Sequence, residues 1–119
     1  MNFTTQELHY LAMNFVGEEL QKMEFEFLTV NSQLKKHPQF VTFKKDEKKI
    51  FVLVKAAVPP EDYRKIPEYA HKMVAHAKKH NAKVWFAGVG ITHASDIQQS
   101  PIKGEAYKLL FPGFQFLHE

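Results

Sequence analysis

The sequence predicts an α/β sandwich of element order α-β-β-β-α-β, a mixed central sheet flanked by two long helices with a small C-terminal β tail. Two stretches repeat apolar residues at helical spacing, one from Thr4 to Met23 and one from Ile66 to His80. Two others, "KIFVLVKAAV" and "AKVWFAGVGI", are continuous apolar runs, too short and too β-rich for helices, as central strands buried on both faces are. With 119 residues, 45% of them hydrophobic, the chain supports one core, so residues 1–119 are read as a single domain.

The first helix begins at a capping box. Thr4 is placed to cap, Glu7 to reach back to it, and Phe3 to staple onto Leu8. Leu8, Leu11, Ala12, Phe15, Val16 and Met23 then form the core stripe, with Glu19 falling among them, either bent out to water or turned inward as a carboxylate. "FEFLTV" is a first strand, and the polar "NSQLKKHP" a loop. "QFVTFK" and "KIFVLVKAAV" flank "KDEK" as a hairpin, and Pro59-Pro60 stops the second of its strands. The next helix begins or is interrupted near Pro67 and closes at His80-Asn81, where asparagine accepts a left-handed conformation. "AKVWFAGVGI" is the last central strand, "THASDIQQSPIKGE" is irregular, and "AYKLLFPGFQFL" is two short strands around a Pro-Gly turn.

Composition excludes several kinds of chemistry. The chain has no cysteine, which removes disulfides, thiolate zinc sites, cysteine-held iron–sulfur clusters and a cysteine nucleophile, and fits a reducing compartment. No apolar stretch reaches membrane-span length and "MNFTTQELHY" has no signal pattern, so a cytoplasmic chain with no membrane association and no cofactor is expected. Gly88-Val89-Gly90 lacks the third glycine and the following helix of a dinucleotide fingerprint.

The strand run "FVLVK", after a hairpin and ending in a hydrophobic-x-lysine triplet, resembles the restriction-endonuclease-like superfamily, the PD-(D/E)XK nucleases and their resolvase-like relatives, over about residues 4–91. Active members of that superfamily gather a divalent metal with a helix-1 glutamate, a second-strand aspartate and the acid of an acid-x-lysine triplet, and the lysine helps activate water. The chemistry is phosphodiester hydrolysis, and hard cations such as magnesium demand oxygen ligands for it. The resemblance implies Lys55 at the lysine position, Leu53 at the triplet acid, Phe40 at the aspartate and Met13 at the helix glutamate. With all three acids apolar, it implies a degenerate, non-enzymatic relative serving as an interaction module, in which Met13, Phe40 and Leu53 converge as a plug. The competing expectation is a divergent metal-dependent nuclease using Glu19 and Lys55. Lys55 also has a purely structural reading, its stem crossing the core to a charge in water.

Two further groupings need placing. His76 and His80 are four apart on the second helix, a spacing that can chelate zinc but that lacks a third ligand. Lysines gather at 35–36, 44–45 and 48–49; Lys44, Lys45, Lys48 and Lys49 are candidates for weak, sequence-independent contact with nucleic acid. The net charge of +3 neither requires nor forbids that. A homodimer is left open.

Overall fold

The computed structural model of the chain describes residues 2–34 and 36–117. Lys35, expected to join the lysine cluster, lies outside them, as do Met1, His118 and Glu119. The element order is α1 (Thr5–Lys22), β1 (Glu26–Val30), β2 (Phe40–Phe43), β3 (Ile50–Ala57), α2 (Tyr69–Lys79), β4 (Lys83–His93), β5 (Tyr107–Leu110) and β6 (Gln115–Leu117). The α/β sandwich with its two helices, mixed sheet and β tail is therefore the observed architecture.

The sheet runs β1-β2-β3-β4-β5, with β6 also on β4. β1, β2 and β3 form an antiparallel meander, β3 and β4 are parallel, and β5 and β6 pair antiparallel with two successive lengths of β4. The parallel step needs a crossover, and α2 supplies it. β3 and β4 pair from Ile50↔Lys83 to Ala57↔Gly90, which makes the two continuous apolar runs the paired centre of the sheet.

Side chains alternate across a strand, so β3 feeds two cores. On one face Ile50, Val52 and Val54 pack with Phe40, Ala87, Val89 and Ile91 under Ala12, Met13, Val16 and Leu20 of α1. On the other, Phe51 and Leu53 pack with Val84 and Phe86 under Ala70 and Ala77 of α2. The sandwich is thus α1, sheet, α2.

The expected punctuation is present. The Thr4 hydroxyl accepts the N–H of Glu7 at 3.1 Å while the Glu7 carboxylate accepts that of Thr4 at 2.8 Å, completing the capping box. Asn81 follows α2 with φ 54°, in the left-handed region. Phe3 stands edge-on to Tyr107, with ring centroids 5.9 Å apart.

Gly88 and Gly90 have a packing explanation. A Cβ on Gly88 would lie 1.8 Å from the carbonyl oxygen of Tyr63, and one on Gly90 2.6 Å from the Tyr63 ring. The segment after Pro60 lies against the α2 side of β4, and only glycine lets it approach so closely.

Candidate functional site

At the C-terminal end of β3 a cavity of about 340 Å³ is lined by residues of α1, the loop before β2, β3 and the start of α2. Its polar lining is Thr5, His9, His37, Gln39, Lys55, Glu61 and Tyr69. The end of a parallel strand pair is where α/β sheets habitually hold ligands, because the connections diverge there and leave a crevice.

The corner is assembled around Gln39, which is fully buried. Pro38 has no N–H for the ladder. Gln39 uses its side chain beside it: the Oε1 accepts the N–H of Val54 at 2.8 Å and the Nε2 donates to the carbonyl of Lys36 at 3.1 Å. That orientation of the amide places Nε2 2.8 Å from Nδ1 of His37. With Gln39 donating, Nδ1 accepts, and the proton of the neutral His37 ring sits on Nε2. The His37 ring stacks on that of Tyr69, first residue of α2, with centroids 4.1 Å apart and planes at 20°.

His9 is 4% exposed, and its Nε2 meets no hydrogen-bonding partner among the described residues. Burial pushes the pKa of His9 down, and the neighbouring His37 pushes it the same way. Burial also lowers His37 and raises the Tyr69 phenol. The charged groups stand at the rim: the Lys55 ammonium donates to Glu61 at 2.7 Å, with the side chains 37% and 49% exposed.

Of the residues singled out in the sequence, Lys55 is at this corner; the others are elsewhere. Phe40 pairs with Val52, not Leu53. Phe40 and Met13 belong to the α1-side core and Leu53 to the α2-side core, so the expected convergence of Met13, Phe40 and Leu53 does not occur. The reason is register: moving one residue along a strand reverses the face. Gln39 lies where Phe40 was expected, since it lines the cavity together with Lys55. Glu19 forms an ion pair with Lys22 at 3.1 Å. It lies ten residues along α1 from His9, about 15 Å at the helical rise, too far to share a reaction centre with Lys55.

His76 and His80 sit side by side with ring centroids 4.6 Å apart, both near Phe51. Among the described residues no three His, Asp or Glu side chains are grouped closely enough to hold a metal ion. Lys44 lies over the Phe25 ring at 4.6 Å, and Lys45, Lys48 and Lys49 are exposed around the hairpin turn.

Sequence reasoning passed over His9, His37, Gln39 and Tyr69. One signal was available: His9 continues the buried stripe Ala12, Met13, Val16 and Leu20 toward the start of α1. A histidine in a core stripe marks either a satisfied core residue or a site. The other three carry no local pattern, since a loop, a strand end and a helix start meet only in the fold.

A family described as "Domain of unknown function (DUF8840)" matches residues 6–117. The chain belongs to the DUF8840 family. No curated protein and no solved structure is matched. The DUF8840 match runs from the first turn of α1 through β6, so the β tail lies within the family's extent together with the layers that build the corner.

Chemically, this DUF8840 corner is rich in hydrogen-bond donors and poor in free carboxylates. Lys55, the Nε2–H of His37 and the phenol of Tyr69 can donate; the one carboxylate in the lining, Glu61, is held by Lys55. Such a lining suits an electron-rich ligand better than a hard cation. Among the described residues no helix is long and apolar enough to cross a membrane.

Proposed function

We propose that this DUF8840 chain is a non-enzymatic, cytoplasmic binding module on a nuclease-like scaffold, with the corner beside Lys55 serving as a ligand pocket in place of a hydrolytic centre. One observation carries the reading. Beside Lys55, where an active nuclease would hold its second-strand acid, the chain has the amide of Gln39, whose oxygen is committed to the N–H of Val54. In this alignment Pro38-Gln39 takes the place of the superfamily's Pro-Asp pair, one residue earlier than Phe40. Leu53 takes the place of the triplet acid and is buried under α2. The carboxylate near the lysine, Glu61, comes from the loop after β3 and neutralises it. The lack of cysteine agrees with a cytoplasmic setting.

Calorimetry with manganese and a plasmid-nicking assay test the reading, with no specific metal binding and no nicking expected. Manganese-dependent nicking that vanishes in Lys55→Ala would overturn it. The alignment has its own test. Gln39→Asp with Leu53→Glu puts two carboxylates on one face beside Lys55 and should create measurable manganese affinity. Phe40→Asp with Leu53→Glu splits them between opposite faces and should not. Equal behaviour of the two double variants would remove the nuclease-like alignment.

A further inference from the structure

We infer that the chamber at the end of β3 is a site for a small organic carboxylate carrying an apolar tail, the carboxylate meeting Lys55 and the histidine pair and the tail lying against Leu8, Leu34, Val54 and Val58. The inference rests on the binding-module reading and names its ligand class. The cavity volume of about 340 Å³ is at the small end of the range that holds small molecules. Its walls divide by chemistry: aliphatic side chains from α1, β3 and the flanking loops on one part, and donors from His37, Lys55 and Tyr69 on the other.

His9 supplies the second, independent observation. A buried ring nitrogen without a partner costs stability, and a native structure rarely keeps one without a use. His9 lines this chamber, is 4% exposed and has its Nε2 without a partner among the described residues. A carboxylate oxygen offers it an acceptor once it is protonated, and the same oxygen can take the Nε2–H of His37.

The sign of the ligand's charge follows from the balance of donors and acceptors. The ammonium of Lys55 already holds Glu61, and both stand partly exposed at the rim. An entering carboxylate can share Lys55 with Glu61, whereas an entering cation would have to compete with Lys55 for the same carboxylate. Phosphate suits the chamber less, because its charge and hydration are ill matched to aliphatic walls. An anion beside His9 and His37 favours their protonated forms, so binding should take up protons and tighten as pH falls. The other titratable groups lining the chamber are Lys55, Glu61 and Tyr69.

The test is calorimetric titration of the full chain with 3-methylbutanoate at pH 6 and pH 8. Its neutral amide is the charge control, and a short peptide ending in leucine offers the same carboxylate on a chain terminus. The acid should bind at least tenfold more tightly than the amide, and several-fold more tightly at pH 6 than at pH 8. Lys55→Met should weaken it tenfold or more, and Leu34→Trp, which fills the chamber, should abolish it. Lys55 and Leu34 are only partly buried, so both variants should keep the wild-type circular dichroism. Should either unfold, the ring-proton NMR signals of His9 and His37 in the unaltered chain must shift with the acid and not with the amide. Binding of the acid alone identifies a free small molecule as the source, and binding of the peptide a chain terminus; each supports the inference. Absence of binding by both, equal binding of the amide, or indifference to Lys55→Met and Leu34→Trp overturns it. Manganese-dependent nicking would defeat the binding-module reading whatever the titration gives, and a failed titration would leave the metal result standing.

Discussion

The amide of Gln39 bonds the N–H of Val54, the carbonyl of Lys36 and the ring of His37 at once. Gln39→Leu keeps much of the volume and removes all three bonds. The N–H of Val54 is then left buried and unpaired, so a loss of about 2 kcal/mol is expected from urea unfolding. His9 and His37 add a pH dependence. Burial holds both below the ordinary histidine range, so the folded chain resists protons that the unfolded chain accepts. Their contribution is complete above the unfolded pKa of about 6.5 and is lost as pH falls below it. Stability should therefore decrease from pH 7 to pH 5.5, before carboxylates titrate, and His9→Phe should flatten that slope in urea midpoints measured across the window. A midpoint independent of pH between these values would show that neither ring stays neutral in the fold.

β4 shows how tightly two elements are fitted, and α1 supplies the contrast. Gly88→Ala would drive a methyl group to 1.8 Å from the backbone of Tyr63, and backbone cannot turn aside as a flexible side chain can. A loss of about 2–3 kcal/mol in thermal or urea unfolding is expected. In α1, Gly17→Ala would bring its Cβ to 3.4 Å from the Phe40 ring, an ordinary contact, and should stabilise the helix by up to about 1 kcal/mol. The elements themselves were legible in the sequence wherever one local rule decided them. Thr4 and Glu7 announced the start of α1, the run "KIFVLVKAAV" contained β3, "AKVWFAGVGI" covered β4 as far as Ile91 while Thr92 and His93, expected to be irregular, extend the strand, and Asn81 marked the end of α2. What stayed hidden was the face on which each strand residue lies. The hairpin pairs Phe40 with Val52, and counting residues back across a turn cannot distinguish that register from one shifted by a residue. That single step separates Gln39, which belongs to the corner, from Phe40, which belongs to the opposite core.

Across the whole molecule, charge and edges define the outer surface. Lys45, Lys48 and Lys49 are exposed at the end of the β2–β3 hairpin, with Lys44 folded over Phe25. Contact there with nucleic acid should be weak, indifferent to sequence and lost steeply with salt, as fluorescence anisotropy on unrelated duplexes at two salt concentrations would reveal. Tight binding to one sequence at physiological salt would contradict this. The sheet, meanwhile, is finished unequally at its two margins. β1 shows solvent Leu28 and Val30, whereas β4, the longest strand, has its outer side covered by β5 and β6. β4 ends at His93, and the covering strands come after it. A fragment stopped at residue 94 would thus keep every element from α1 to β4 and still leave a long row of unpaired backbone N–H and C=O groups exposed along that apolar strand. Such a fragment should sediment as oligomers or precipitate where the full chain does not, which makes the short tail a guard against self-association rather than an appendage.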